Sequence, residues 1–390
     1  MVTALPRQRW AILALLFATR ASLGFNFQTA GSVADSLVGE LGLNFTEVGT
    51  LIGLFNVPGL VLSIPSGLAG RYASDRALVA IGLGALALGG AVAFFAHGFG
   101  LLALARLLSG AGFVLSTLYF TKMVADWFAN RELATAMAVL VMSWPFGIAM
   151  GQVGHGWLAV HLGWRTPFLA AALYCGVAAI GLLVCYRAPA AAATDVRATS
   201  IGLTRREWIL TLIASLVWAA FNAAYIVYLS FAPRLLMAGG VGPLEAASII
   251  SLASWVMIFS GAVCGQLADR LGRSDLILSI CLCSAMAALL LLSHVGWSVP
   301  LSLTFGLIGM APAGIIMALT GSSMAPEKRA FGMGLFLSAY FVLTAPAPGI
   351  AGWLYDRSHD AYLPVVFAVC LFALALGANF AFRLAQRVLA

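Results

Sequence analysis

Residues 77–96 read ALVAIGLGALALGGAVAFFA, twenty consecutive positions without a charged or amide side chain. As a helix rising about 1.5 Å per residue, this run covers about 30 Å, the hydrocarbon thickness of a bilayer. A helix on a water-facing surface carries a polar stripe, and this one has none. Runs of the same kind recur on both sides of it, near 10–34, 47–69, 99–121, 133–158, 165–187, 207–232, 244–268, 275–294, 298–320, 330–353 and 362–385. With 77–96 they predict twelve transmembrane helices and an all-α membrane protein. Only a short turn at Gly98 separates the third from the fourth.

Composition agrees. Of 390 residues, 62% are hydrophobic and 9% charged, whereas roughly a quarter of a soluble domain is charged. Lys and Arg set the orientation. Arg7, Arg9, Arg71, Arg76, Lys122, Arg131, Arg187, Arg197, Arg205, Arg206, Arg270, Arg273, Lys328, Arg329, Arg383 and Arg387 fall in one set of loops and termini, and only Arg165, Arg234 and Arg357 in the other. By the positive-inside rule the first set is cytoplasmic. The expected location is the inner (cytoplasmic) membrane, multi-pass, with both termini inside. Arg7 and Arg9 precede an apolar run too long for a cleavable signal, so the first helix is expected to remain. The net charge of +7 is dispersed over short loops and forms no patch, which argues against a nucleic-acid partner. Cys175, Cys185, Cys264, Cys281, Cys283 and Cys370 lie inside apolar runs without clustered His or Asp, so no disulfide frame, metal site or cofactor is expected.

Shifting the chain by 196 residues lays Asn26 on Asn222, Gly110 on Gly306 and Met137 on Met333. The same shift lays Gly156-Trp157-Leu158 on Gly352-Trp353-Leu354, and Trp144 on Tyr340. Two similar halves follow: residues 1–187 and 207–390, each a six-helix bundle, joined by a cytoplasmic linker over 188–206. Such halves enclose a cavity at their interface and rock about it.

The segment Gly265-Gln266-Leu267-Ala268-Asp269-Arg270-Leu271-Gly272-Arg273 resembles the loop motif G-x-x-x-D-R-x-G-R of the major facilitator superfamily. It sits between spans eight and nine, where that superfamily carries its second copy. Between spans two and three, Ser66-Gly67-Leu68-Ala69-Gly70-Arg71-Tyr72 keeps the small residues and the Arg but has Gly70 in place of the Asp. Arg106-Leu107-Leu108-Ser109-Gly110-Ala111-Gly112 is similar to the family's R-x-x-x-G-x-G in span four. The resemblance implies the fold of that superfamily, two pseudo-symmetric bundles, and secondary transport by alternating access. It also implies a gate made by Gly265, Asp269, Arg270, Gly272 and Arg273, with Arg71 at the first copy. There a carboxylate held by a helix end and a cation latches the outward-open state. Within the superfamily the chain looks like the cyanate and nitroimidazole permease branch, through its shortness, an Arg within span one and Pro65-Ser66-Gly67 ending span two.

Charged side chains inside a bilayer are costly and are functional candidates. Two fall there, Arg20 in span one and Arg106 in span four, both more than about 10 Å from either face. The acidic residues Asp35, Glu40, Glu47, Asp75, Asp126, Glu132, Asp195, Glu207, Glu245, Asp269, Asp275, Glu327, Asp356 and Asp360 all lie outside the spans or at their ends. Unanswered guanidinium groups in low dielectric call for an anion, so the expected substrate is a small organic or inorganic anion. The competing readings are that Arg106 is bonded to backbone carbonyls and that Arg20 reaches water. Without a deep carboxylate, anion exchange, facilitated diffusion or symport with the proton carried on the substrate is expected. His97, His155, His161, His294 and His359 map to outer span ends and read as interfacial residues.

Asn26 and Asn222 are expected to face each other across the pseudo-twofold, with Asn222, Tyr225 and Tyr228 forming one stripe of span seven. Trp144 and Tyr340, with Gln28, Asn56, Tyr119, Trp218 and Trp255, complete the expected lining. Pro145, Gly147 and Gly151 in span five and Pro346, Pro348, Gly349 and Gly352 in span eleven are read as flexible gating helices or as close packing. The expected function is a secondary transporter of a small anionic solute, acting as a monomer with the solute and the bilayer as partners. The alternatives are a multidrug or metabolite efflux transporter of the same fold and a non-transporting sensor. No His-Glu-x-x-His, Ser-His-Asp set or paired buried carboxylates argue for an enzyme.

Overall fold

The computed structural model describes residues 6–128, 132–189, 202–325 and 328–389, and among them every regular element is helical. Twelve helices are long and apolar enough to cross a membrane: Gln8–Ser32, Phe45–Ala69, Asp75–Phe94, Phe99–Phe128, Thr135–Leu162, Thr166–Cys185, Arg205–Ala238, Pro243–Leu271, Ser274–Leu291, Ser298–Ser323, Phe331–Ser358 and Tyr362–Val388. These are spans one to twelve. Each span foreseen in the sequence is present. Residues 190–201, most of the expected linker, lie outside the described residues, as do Arg131, Asp195, Arg197 and Glu327.

Successive spans run antiparallel. Lys122 near the end of span four meets Asp75 at the start of span three at 2.6 Å, and Arg383 near the end of span twelve meets Asp275 at the start of span nine at 2.8 Å. One end of the bundle therefore gathers most of the Lys and Arg (the basic end); Ser32, Phe45, Ala238 and Ser358 mark the far end. Local chemistry sets several starts. Asn44 accepts from the Glu47 N–H at 2.8 Å while Glu47 accepts from the Asn44 N–H at 2.9 Å, a capping box opening span two. Thr204 and Glu207 form the same device ahead of span seven. A short helix not foreseen in the sequence, Ala34–Leu41, joins spans one and two; eight residues with Leu37 as the buried member are too few to register as an apolar run.

The internal repeat is visible as matched contacts. A Cβ on Gly110 would lie 2.2 Å from the Phe55 carbonyl oxygen, and one on Gly306 2.4 Å from that of Ala253. Span four thus crosses span two, and span ten crosses span eight, at glycines related by the 196-residue shift, because only a missing side chain admits that approach. Gly156 faces Leu244 of span eight and Gly352 faces Phe45 of span two. The tryptophans that follow them, Trp157 and Trp353, are both exposed on the outer surface. Two six-helix bundles therefore meet through equivalent pairs, span five on span eight and span eleven on span two.

Helix interruptions fall in spans two, ten and eleven. Span two breaks at Phe55–Asn56 ahead of Pro58, span eleven at Ala345–Pro346, and span ten loosens into a π-turn at Phe305–Gly309 ahead of Pro312. Proline lacks the N–H that would continue the ladder. Span five carries Pro145 within an unbroken helix, Leu133–Leu162. Of the two readings of these residues, close packing is the one the glycines display, a Cβ on Gly147 lying 2.0 Å from the Ala21 carbonyl oxygen and one on Gly352 1.9 Å from that of Phe45; the breaks in spans two and eleven adjoin, Gly53 lying against the Ala345 carbonyl.

Candidate functional site

Arg106 sits on span four about 10 Å from its far end, only 2% exposed. Its Nε donates to the Leu51 carbonyl at 3.1 Å and one terminal nitrogen to the Phe27 carbonyl at 3.0 Å. The other donates to the Asn26 carbonyl and Thr29 Oγ1, both at 3.2 Å, and the guanidinium lies 4.7 Å over the Phe55 ring. This is the backbone-bonded geometry: Arg106 clamps span four to spans one and two. Arg106→Ala leaves these carbonyls unanswered in a buried site, where each orphaned group costs about 1–3 kcal/mol. A clear fall in Tm in detergent is the expected outcome, with Arg106→Lys recovering only part of it because an ammonium cannot hold a fork geometry. An unchanged Tm would contradict the clamp.

Arg20 differs. It stands midway along span one, half-buried. One terminal nitrogen donates to the Leu140 carbonyl at 2.8 Å, Ser143 Oγ at 3.0 Å and the Val141 carbonyl at 3.4 Å, all on span five. Its Nε is buried without a partner among the described residues, and none of their ion pairs includes it. Phe17, one turn before it, packs edge-on against Phe146 of span five at 5.3 Å, and Phe146 against Trp255 of span eight at 5.4 Å. Arg20 thus lies beside the contact that joins the two bundles. Chemically, it offers a cationic donor fork with no carboxylate among the described residues in ion-pair range.

The remaining expected residues divide. Asn222, Trp144, Trp218, Trp255 and Tyr340 are half-buried. Trp144 leans on Phe27 and Phe113 at 5.5 and 5.0 Å, Tyr340 on Phe341 at 4.9 Å, and the Asn222 amide donates to the Trp218 carbonyl at 2.8 Å. Asn26 does not face Asn222: it is buried, and its amide donates to the Leu86 carbonyl of span three at 3.3 Å. The span-seven stripe is also corrected. Tyr225 shares a 2.7 Å hydrogen bond with Ser254, and Tyr228 donates to the Ile250 carbonyl and Ser302 at 3.3 Å, so both hydroxyls are consumed inside the second bundle. Gln28 and Asn56 are buried, and Tyr119 spends its hydroxyl on the Ser66 carbonyl at 2.7 Å near the basic end. His155 is no interfacial residue: it is fully buried, 4.2 Å edge-on from Phe25, with neither ring nitrogen partnered among the described residues.

At the basic end Gly272 takes φ +63° as the residue ending span eight, which explains the glycine in the motif. Asp269, Arg270 and Arg273 are exposed and make none of the ion pairs recorded among the described residues; Arg71 is likewise exposed. At the far end Asp356 of span eleven accepts from the Phe45 N–H at 3.0 Å, the Thr46 N–H at 2.7 Å and the Thr46 hydroxyl at 2.6 Å, capping the start of span two. Arg234 of span seven pairs with Asp35 and lies 4.2 Å over Phe45 and 4.8 Å over Tyr355. A carboxylate on a helix start thus ties span eleven to span two at this end, and the Asp35–Arg234 pair ties the segment after span one to span seven. The sequence carried a signal for it that went unread: Gly352-Trp353-Leu354-Tyr355-Asp356-Arg357 repeats the Gly-x-x-x-Asp-Arg spacing of Gly265–Arg270 at the opposite end of the bundle.

Residues 16–348 match the sequence model of the Major Facilitator Superfamily. A protein of Escherichia coli (strain K12) named "Probable L-galactonate transporter" is 23% identical over 94% of this chain and 87% of its own length. An "MFS-type efflux pump" of Mycolicibacterium smegmatis is 28% identical over 91% of this chain and 86% of its own. Among solved structures, a bacterial homologue of the human lysosomal transporter Spinster, inward-facing and unoccupied, superposes with a TM-score of 0.75 at 17% identity, covering 98% of this chain and 99% of that one.

Proposed function

The chain belongs to the major facilitator superfamily and is a multi-pass membrane transporter, not an enzyme, and from that premise we propose that it carries a small organic anion, a monocarboxylate up to sugar-acid size, across the cytoplasmic membrane. One observation carries the reading. Arg20 holds a guanidinium at mid-span, next to the junction of the bundles, with a buried unpartnered Nε and no carboxylate in ion-pair range among the described residues. A bound carboxylate supplies both the missing charge and the missing acceptor. The similarity to a protein named for L-galactonate, itself a carboxylate, supports the same class.

The distribution of Lys and Arg supports a cytoplasmic basic end and both termini inside. Residues 1–187 and 207–390 then act as the two rocking halves, joined through 188–206, in a protein that works as a monomer. The Asp356 bonds to the start of span two, with Asp269, Arg270 and Arg273 exposed and in no ion pair among the described residues, support an inward-facing state, in which the loop latch is released and the Asp356 latch is made. Exchange of labelled gluconate, galactonate, glucuronate, benzoate and cyanate in proteoliposomes, with and without internal anion, tests the substrate class. Saturable exchange of at least one is expected; exchange of none overturns the reading.

The likeness to an efflux pump favours a second reading, export of drug-like solutes. Arg20 separates the two, because its uncompensated positive charge repels cationic drugs.

A further inference from the structure

We propose that a phospholipid of the far-end leaflet occupies the seam between spans two and eleven, one acyl chain lying in an apolar groove and its phosphate meeting Arg357. The groove has a volume of about 610 Å³. One wall is a stripe of span two that includes Thr46, Leu54, Val57 and Leu60, and the other a stripe of span eleven with Val342, Ile350 and Trp353. Gly53 and Ala345 meet between the walls, next to the breaks in both helices. Each bundle therefore contributes one side of the site.

The walls suit a hydrocarbon chain. Their two hydroxyls are spent inside the protein: Thr46 donates to Asp356 at 2.6 Å and Thr50 to the Thr46 carbonyl at 2.7 Å. A polar solute in such a groove would leave its own groups unanswered. Val342, Ile350 and Trp353 fall on one face of span eleven, and all three are exposed, so the groove opens sideways to the lipid. From Trp353 to Val342 this wall runs about 16 Å along the helix, close to the depth of one leaflet in a hydrocarbon core about 30 Å thick.

A cation stands at the level of the headgroup. Arg357 follows Trp353 by one turn on the same face, exposed, in the last turn of the helix. Tryptophan at such a place sits at the membrane–water interface, where headgroups begin. Of the three far-end arginines, Arg234 is paired with Asp35, and Arg165 donates to the Ala96 carbonyl at 3.3 Å and lies 4.8 Å over Trp164. None of the ion pairs recorded among the described residues includes Arg357. Its acidic neighbours are engaged elsewhere, Asp356 with span two and Asp360 with the Tyr362 N–H at 2.8 Å. A phosphate in the headgroup layer answers this charge, with its chain directed past Trp353 into the groove. A lipid seated this way holds together two helices that belong to different bundles.

The test uses the full chain in nanodiscs containing phosphatidylglycerol with a diazirine on one acyl chain, photolysed and mapped by mass spectrometry. Leu173, Val177 and Ile180, exposed on span six, report ordinary annular lipid. Adducts on the groove walls are expected to exceed those on span six by about fivefold or more. Ile350→Trp fills the groove and is expected to bring the two to parity, with Val342→Trp as a second variant should the first reduce folded yield. Arg357→Gln, at an exposed position, is expected to lower groove adducts about fivefold, the weight of one basic side chain at a membrane surface. Groove adducts no more frequent than those on span six overturn the proposal and leave annular lipid only. Adducts unchanged in the folded groove-filling variant, or in Arg357→Gln, overturn it as well, as do protected groove walls accompanied by cross-linked dimers, which would place a second copy of the chain on the seam. None of these readouts involves anion transport, so the lipid site and the anion reading fail separately.

Discussion

Arg20→Ala is expected to lower kcat/KM for carboxylate transport by about 100-fold while leaving the amount of folded protein in the membrane unchanged. Removing one partner of a desolvated, hydrogen-bonded charge pair costs about 2–5 kcal/mol, and here the orphan is the anion itself. Folding is spared because the acceptors on span five keep a bond of their own: Ser143 Oγ donates to the Leu140 carbonyl at 2.6 Å whether or not Arg20 is present. Arg20→Lys retains the charge and loses the planar fork, so a smaller loss of about tenfold is expected. Initial rates over a range of anion concentrations, normalised to reconstituted protein, check this. The contrast with Arg106 is part of the expectation: of two arginines that look alike in the sequence, one should fail in transport and the other in stability.

Asp356→Asn is expected to open the far end. The carboxylate accepts three hydrogen bonds from the first residues of span two, and an amide offers one acceptor oxygen where two now serve. Losing a charged cap and turning an NH₂ towards the Thr46 N–H costs about 2 kcal/mol, a shift of about 30-fold in the balance between far-end-closed and far-end-open states. Ser230 lines the far-end cavity, so Ser230→Cys in a background lacking the six native cysteines reports the opening. Its reaction with an impermeant maleimide added to the far side should accelerate by at least tenfold when Asp356→Asn is added. An unaltered rate would show that Asp356 merely caps a helix.

How much was legible follows from the range of the physics involved. The spans were readable because desolvating backbone over about 30 Å demands an apolar helix, a local property of twenty residues at a time. The repeat was readable because Gly110 and Gly306 answer the same close approach twice. Side-chain direction was not. Nothing local says that Asn26 turns towards Leu86 and away from Asn222, or that Tyr225 finds Ser254; both depend on helix rotation within a bundle. His155 was misread because a position a few residues from a span end is interfacial only if it points outward, and this one points at Phe25. Asp356 was missed because a carboxylate at a span end looks like ordinary solvation until the start of span two is found against it.

The central claim is that Arg20 selects negative charge at the heart of the bundle. Its most direct test is counterflow in wild-type proteoliposomes of a labelled sugar acid against its neutral amide, matched in size and hydroxyl pattern. The account predicts that unlabelled acid inside drives uptake of the labelled acid and unlabelled acid outside drives its release, whereas the amide neither competes nor moves at up to a hundredfold higher concentration. Equal competition by the amide, with rates insensitive to Arg20→Ala, would contradict it.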